Sequence, residues 1–258
     1  LQSRGLGDVY KRQFHRLLNA YDSGLWRGMT EIHSHILPGV DDGVETKVDA
    51  LSLLDFMEKE VKVQRVFITP HTMMDFNNSP AGELQKKFAE FKSAYGGQME
   101  LVLASEYMLD KHFPCRLSEG VLPLGEWNQK KLLLVEGAGI VLLPGFYDML
   151  EECFEAGYTP VIAHPERYPY LEKNDCIKLK ERGCLFQLNI PSLHGYYGKH
   201  VRQAAFTLLD RGMYDFAGFD IHRYEGYAAV IRQLCLTRKR LDKLGELLAN
   251  NKNCLTSQ

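Results

Sequence analysis

The chain alternates short apolar segments with segments of helical periodicity, and this alternation constrains the fold more than any other feature. The apolar segments are rich in β-branched residues and each is followed by a turn signal, which is typical of buried strands. Strands that alternate with helices pair in parallel through right-handed crossovers. The predicted strands are residues 30–33, 65–69, 100–104, 131–135, 159–162, 185–188 and 214–217.

The clearest helical faces lie at residues 146–154 and 201–209, where apolar side chains recur at i, i+3, i+4, i+7 and i+8. Gly157, Gly183 and Gly212 each stand just before a predicted strand, the usual place for a glycine that ends a helix. The pattern therefore predicts an α/β fold of about seven strand–helix units. A closed barrel and an open doubly wound sheet both satisfy it.

Size and charge fit a single large domain, predicted to span residues 14–258 of the 258 in the chain. Residues 1–13 lack a starting Met and any periodicity, and we interpret them as sequence added in cloning or assembly. The net charge of −2 gives no basic stripe for nucleic acid and no polybasic arm for a membrane. No apolar run has the length of a transmembrane helix, and the six cysteines form no CxxC pair. We expect a cytoplasmic protein with reduced thiols.

Imidazoles or carboxylates follow six of the seven predicted strands. In parallel β/α folds, functional groups gather beyond the carboxyl ends of the strands. An isolated histidine is usually a core or surface residue, which is our interpretation of four others: His15, His112, His194 and His200. Five of the nine histidines in the chain lie at strand ends, which indicates a shared function. The side chains at these ends are His33, His35, Asp42, His71, Glu106, Glu136, His164, Asp220 and His222.

This set of donors contains no thiolate and suits Mn²⁺, Fe²⁺ or Zn²⁺. Nine donors exceed the coordination sphere of one ion, so two or three ions are expected. Three divalent cations would outweigh the four carboxylates, and the remaining positive charge would favour a bridging hydroxide and a bound phosphate dianion. The residues alone therefore predict a metal-dependent phosphoester hydrolase.

Several motifs in order carry a resemblance to a known family. The segments 33–43 and 164–168, with Thr69-Pro70-His71 and Asp220-Ile221-His222, match the motifs of the PHP (polymerase and histidinol phosphatase) superfamily. Within it, the sequence resembles the bacterial capsule-type manganese-dependent protein tyrosine phosphatases. The resemblance runs from about Met29 to His222, most of the chain.

The resemblance implies a distorted seven-stranded parallel β/α (TIM-like) barrel with a trinuclear site usually loaded with manganese. It also implies hydrolysis of phosphotyrosine by a metal-bridging hydroxide. The implied substrate is the phosphotyrosine tail of a membrane-bound tyrosine kinase that controls capsule or exopolysaccharide export. All nine ligand positions of the family are filled by the strand-end side chains named above.

Three further side chains are candidates for the chemistry. We expect Arg167 to clamp a phosphate oxygen. Arg223 is either a second clamp or a solvated surface arginine. Asp41 is either a hydrogen-bond acceptor behind a ligand, a proton donor, or a turn residue before Gly43, the last being the commoner case. Glu166 is expected to be structural, or to hydrogen-bond behind a ligand, rather than to be a ligand itself.

Two departures from the family lie near the expected site mouth and bear on the substrate pocket. Phe219 stands where a small hydroxyl residue is usual, and residues 137–139 (Gly-Ala-Gly) replace polar or aromatic ones. The stretch 75–80 and the loop after Leu193 are expected to frame the mouth.

Three other interpretations stand beside this one. The spacing from Cys176 to Arg182 matches cysteine-dependent phosphatases, but the segment between has no glycine for an anion cradle and reads as mid-helix. A PHP phosphatase for a small metabolite such as histidinol phosphate would need the same metals. A catalytically silent barrel that binds phosphotyrosine would be indicated by lost ligands, and none is lost.

Overall fold

The structure is a computed structural model, and it describes residues 17–73 and 81–254. The expectations for residues 1–13, for His15 and for residues 75–80 lie outside the described residues. The strands are β1 Leu17–Asn19, β2 Thr30–Glu31, β3 Arg65–Ile68, β4 His71–Thr72, β5 Glu100–Leu103, β6 Glu106–Met108, β7 Gly125–Trp127, β8 Lys130–Glu136, β9 Tyr158–Ala163, β10 Leu185–Asn189, β11 Phe216–Gly218 and β12 Cys235–Thr237.

Helices follow most of these strands, as the alternation predicts. They are α1 Lys47–Phe56, α2 Ala81–Ala94, α3 Phe113–Glu119, α4 Phe146–Glu155, α5 Lys173–Glu181, α6 Ile190–His194, α7 Lys199–Asp210, α8 Tyr224–Gln233 and α9 Arg238–Lys252. A π-helical turn, Met57–Val61, extends α1, and a 3-10 turn, Pro165–Arg167, follows β9. The glycines predicted to end helices, Gly157, Gly183 and Gly212, adopt φ of 83°, 97° and 67°, as a left-handed helix end requires.

The parallel strands form a distorted barrel in chain order. One sheet has the order β2-β3-β5, and the other runs β4-β6-β8-β9-β10-β11 with β7 antiparallel on β8. Since β3 leads into β4 and β5 into β6, the barrel has seven staves: β2, β3–β4, β5–β6, β8, β9, β10 and β11. Sequential staves lie side by side, which distinguishes the barrel from a doubly wound sheet.

The first and last staves meet just beyond β2 and β11. Ser34 and Ile221 form a parallel bridge, and the amide of His35 donates to the carbonyl of Ile221 at 2.8 Å. The buried carboxylate of Glu31 accepts hydrogen bonds from the amides of His33 at 2.8 Å and Phe219 at 3.1 Å. This contact between the first and the last stave closes the barrel.

Two predicted strands differ from the observed ones. Residues 65–69 and 100–104 were each expected to be one strand. In the structure each stave is interrupted for two residues, 69–70 and 104–105, and then resumes as β4 or β6. Pro70 has no amide hydrogen to continue a ladder, and its carbonyl instead accepts from the amide of Glu106 at 3.1 Å. The breaks let β4 and β6 turn toward β8, which distorts the barrel.

Side chains alternate between the barrel interior and the helix layer. On β8, Leu132 and Leu134 pack in a small cluster that also contains Phe67 and Phe216, whereas Leu133 packs in the larger cluster shared with the helices. Because Glu136 follows Leu134 by two residues, its carboxylate points to the inner side of the strand end. None of the described helices has the length and apolar character needed to cross a bilayer.

Candidate metal centre

The structure brings the nine predicted donors together at the carboxyl ends of the staves. They form overlapping groups in which the donor atoms lie within 4.8 Å of one another. The groups are His35–Asp42–His71–His222, His33–His164–Asp220, His33–His35–Glu106 and His71–Glu106–Glu136. Six of the nine, Asp42, His71, Glu136, His164, Asp220 and His222, line one cavity together with Arg167 and Tyr168.

The spacing of the donors fits a shared cation. Nε2 of His33 lies 3.2 Å from Nε2 of His35 and 3.2 Å from Oε2 of Glu106. Nε2 of His35 lies 3.2 Å from Oδ1 of Asp220. Donors that are each about 2.1 Å from one ion in tetrahedral geometry are themselves about 3.4 Å apart. The spacing is that of ligands around an ion.

Buried carboxylate oxygens supply a second test of fit. Oε2 of Glu106, Oε1 of Glu136 and Oδ1 of Asp220 are shielded from solvent and lie 2.8–3.2 Å from histidine ring nitrogens of the same cluster. Ionised carboxylates are costly to bury, and a coordinated cation would offset that cost. Nitrogen and oxygen donors without thiolate also suit the borderline divalent metals. The residues fit a multinuclear centre.

Two of the candidate histidine ligands are oriented by a side-chain acceptor beside their ring nitrogen Nδ1. Oδ2 of Asp41 lies 2.8 Å from Nδ1 of His35, and Oε1 of Gln187 lies 3.0 Å from Nδ1 of His33. An acceptor on Nδ1 fixes the tautomer that leaves Nε2 free to coordinate. Asp41 also accepts from the amides of His71 and Gly43, both at 3.0 Å. Its geometry supports an orienting role beyond that of a turn residue.

Asp220 is held in the same manner through one oxygen. Its Oδ2 accepts from Arg167 Nη1 at 2.7 Å and from Asn189 Nδ2 at 3.2 Å, while Oδ1 faces the histidines. Gln187 and Asn189 both belong to β10, the one stave that offers no ligand. Sequence reasoning missed them because amides are not typical ligands, although their position at a strand end was an available signal.

Two donors sit on strained backbone. His164 has φ 37° and Asp220 has φ 51°, in the left-handed region that residues other than glycine seldom adopt. Such conformations cost about 1–3 kcal/mol and cluster at functional sites. The turns that follow β9 and β11 therefore hold these side chains at the cluster against a backbone preference.

The electrostatics of the cluster lower the pKa of Glu106 and Asp220, whereas burial raises the pKa of Glu136. Burial alone would raise the pKa of Glu106, but His33 and His71 outweigh it and hold that pKa well below its usual range. Burial and nearby Arg167 lower the pKa of His164 to about 4. A neutral imidazole is the form that binds a metal.

The two candidate arginines have different surroundings. Arg167 lies at the cluster, bonded to Asp220 and stacked 4.4 Å from the ring centre of Tyr197. Arg223 donates to the carbonyl of Gly43 at 2.8 Å and lies 3.7 Å from Glu45, with its side chain 54% exposed. The geometry supports Arg167 as the phosphate clamp, and a clamp at Arg223 stays a prediction.

The two family departures lie in different places. Phe219 is in the core, edge-on to Trp26 at 5.2 Å and to Tyr227 at 4.9 Å. Phe219 also lines a cavity, together with Arg167 and Tyr227. Gly137 lies at the cavity over the donors and donates to the hydroxyl of Tyr168 at 3.0 Å.

Several residues that were not predicted as metal ligands lie apart from the nine donors. His112, His194 and His200 belong to none of the donor groups. Glu166 accepts from the amide of Asn189 and the hydroxyl of Tyr214, a structural contact. Cys176 is buried within α5, where burial raises the pKa of its thiol to about 11. A thiol of that pKa is a poor nucleophile.

Comparisons with known proteins agree with the geometry. A family described as "Capsular polysaccharide synthesis, CpsB/CapC" matches residues 29–254. Tyrosine-protein phosphatase CpsB of Streptococcus agalactiae is 30% identical over 215 residues, covering 76% of this chain and 84% of that protein. Tyrosine-protein phosphatase YwqE of Bacillus subtilis is 26% identical over 210 residues, covering 75% of this chain and 77% of that protein.

A solved structure shows the same fold. It is described as that of YwqE from Bacillus subtilis and CpsB from Streptococcus pneumoniae, metal-dependent tyrosine phosphatases. The superposition has a TM-score of 0.65 at 22% identity and covers 89% of this chain and 96% of the other. With a family match across almost all of the described residues, the chain belongs to the CpsB/CapC family of capsular polysaccharide synthesis.

Proposed function

We propose that this chain is a metal-dependent protein tyrosine phosphatase. The observation that carries the proposal is the convergence of nine nitrogen and oxygen donors in one cluster, beside a partly exposed arginine that lines the adjoining cavity. The activity named for the relatives supports phosphotyrosine as the substrate, since none of the donor positions has lost its side chain. Residues 14–258 would act as one catalytic domain.

The ions would be held by the nine donors, with Mn²⁺ as the proposed metal and Fe²⁺ or Zn²⁺ as alternatives. Bound divalent cations lower the pKa of water to give a nucleophile and neutralise charge on a phosphoryl group. The chain's own residues prepare the site for this. Gln187 and Asp41 fix the rings of His33 and His35, and Asn189 fixes the carboxylate of Asp220.

Arg167 would bind the phosphate group of the substrate. Its guanidinium donates one hydrogen bond to Asp220, and the residue lines both cavities beside the cluster. A planar guanidinium beside a cation cluster suits a phosphate dianion, to which it donates charge-assisted hydrogen bonds. Tyrosinate is a good leaving group, so the residues need not include a strong general acid.

The description of the family names capsular polysaccharide synthesis, which supports a role in that process. We propose as its partner the phosphotyrosine tail of a membrane-bound bacterial tyrosine kinase in that system, with the phosphatase acting from the cytoplasm. The formal net charge of −2 supports neither nucleic acid nor an anionic membrane surface as a charge-driven partner.

The proposal is tested by assaying the protein with added Mn²⁺ on a phosphotyrosyl peptide and on histidinol phosphate. We expect strong preference for the peptide and loss of turnover after chelation. A preference for histidinol phosphate would instead assign a small-metabolite phosphatase. Phosphotyrosine binding without turnover or bound metal would assign a silent barrel.

A further inference from the structure

Two cavities adjoin the candidate metal centre and share part of their lining. The shared residues are Arg167, Tyr197, Asp220 and His222. The first cavity, of about 360 Å³, is lined by most of the donor side chains. The second, of about 230 Å³, lies between the loop after α6 and the start of α8. We call this second one the aromatic cavity.

The lining of the aromatic cavity differs in chemistry from that of the first. Pro191, Tyr196, Phe219 and Tyr227 supply apolar and aromatic surface. Ligand pockets typically combine such walls with a few polar groups that fix orientation, and Arg167 is placed to be one of them. An apolar cavity of about 150 Å³ already admits benzene. The aromatic cavity has room for a substituted phenyl ring.

Gly226 keeps this space open. It is the third residue of α8, and glycine has a lower helix propensity than alanine. A Cβ built there would lie 3.6 Å from the ring of Tyr196, which is ordinary contact, and any longer side chain would extend into the cavity. A residue that weakens its helix yet leaves a cavity beside the centre fits a binding role.

We propose that the aromatic cavity binds the phenyl ring of the phosphotyrosine, so that Gly226 and Tyr196 determine preference for aryl phosphates. This inference rests on the proposed function. With the phosphate at Arg167, which lines both cavities, the ring would extend into the aromatic cavity and pack among the tyrosines, where aromatic pairs gain stability from edge and offset contacts. The peptide backbone would leave past Tyr196, whose side chain is exposed.

The test measures the binding of two non-hydrolysable anions, phenylphosphonate and methylphosphonate, to the Mn²⁺-loaded full chain by calorimetry. They share the phosphonate and differ in the ring. We expect phenylphosphonate to bind about tenfold or more tightly, as burial of a ring provides. In Gly226→Leu this ratio should fall to near one, with methylphosphonate binding unchanged.

Gly139→Leu is the matched control, because Gly139 lines the first cavity and a Cβ there meets no described atom within 4 Å. It should keep the wild-type ratio. Loss of the ratio in Gly139→Leu but not in Gly226→Leu would place the ring over the donors and overturn the proposal. A wild-type ratio near one, or a ratio that neither variant changes, would also overturn it.

Tyr196→Ala gives a second variant should Gly226→Leu fold poorly, and it too should lower the ratio. Retention of the full ratio in Tyr196→Ala would contradict the assignment. Failure of the proposed function is seen separately, because wild-type turnover of the phosphotyrosyl peptide does not depend on where the ring binds.

Discussion

Asp220 shows how a single residue combines two tasks in this site. Its Oδ1 faces His35 at 3.2 Å and His33 at 3.4 Å, while its Oδ2 is occupied by Arg167 and Asn189. The residue sits at φ 51°, so the turn after β11 is strained to place it there. A strained backbone at this position is expected if the carboxylate of Asp220 is a metal ligand.

Asp220→Ala should therefore empty part of the centre. We expect loss of bound metal and at least about 100-fold lower phosphatase activity, because ligand loss exceeds the effect of losing an outer contact. Metal analysis and a phosphotyrosyl-peptide assay measure this. Cys176→Ser is the control and should retain activity. Near wild-type activity in Asp220→Ala would show that Asp220 is not a ligand.

Gln187 offers a test of orientation without coordination. Gln187→Leu removes the acceptor 3.0 Å from His33 Nδ1 at similar volume. Metal affinity should fall about 10- to 100-fold, since outer-sphere partners have effects of that size. The measurement is a competition titration with a chelator, with Gln203→Leu on the exposed face of α7 as control. Equal metal affinity in the two variants would show that Gln187 does not orient His33.

Arg167 and Arg223 can be separated by the affinity for inorganic phosphate. Arg167→Ala should weaken inhibition by phosphate by about 2 kcal/mol, roughly thirtyfold, as the loss of charged hydrogen bonds does. Arg223→Ala should have a smaller effect, because its guanidinium is bonded to the carbonyl of Gly43. The inhibition constants of the two variants decide. A larger loss in Arg223→Ala would reverse the assignment.

At the scale of elements, the seven predicted strands are present within about two residues at their ends. Periodicity and turn residues determine such strands locally, so the sequence reveals them. The interruptions at Pro70 and Ser105 were not predicted, because they depend on how β4 and β6 turn toward β8. The pairing of β1 with β12 was also missed, since it joins residues more than 200 positions apart.

The site shows the same division. The nine donors could be found from residue type and position at strand ends. Gln187, Asn189 and Glu31 were missed, because their roles depend on side-chain contacts between strands, such as Asn189 with Asp220. A hydrogen bond between neighbouring staves leaves no periodic trace in the sequence.

Glu31 provides a prediction at this scale. Its buried carboxyl group, whose pKa burial raises to about 8, joins the first stave to the last by accepting from the amides of His33 and Phe219. Glu31→Ala should lower the free energy of unfolding by about 3 kcal/mol, because two buried N–H groups lose their acceptor. Urea denaturation measures it, with Glu60→Ala on the exposed π-helical turn as control. Equal stability of the two variants would mean that this contact does not hold the barrel closed.

At the scale of the whole molecule, closing the barrel is what creates the centre. The donors come from the first to the seventh stave and meet because the staves form a ring. An open sheet would separate His33 and His35 on the first stave from Asp220 on the last. Sequence alone left barrel and open sheet undecided, and the bridge between Ser34 and Ile221 decides it.

The most direct test of this account is anomalous diffraction at the manganese edge from crystals of the Mn²⁺-loaded protein. We predict two or three anomalous peaks in the cavity, each about 2 Å from donor atoms of the groups around His35, Glu106 and Asp220. Peaks only elsewhere on the molecule, or a cavity without any, would contradict the claim that the nine side chains form one metal centre.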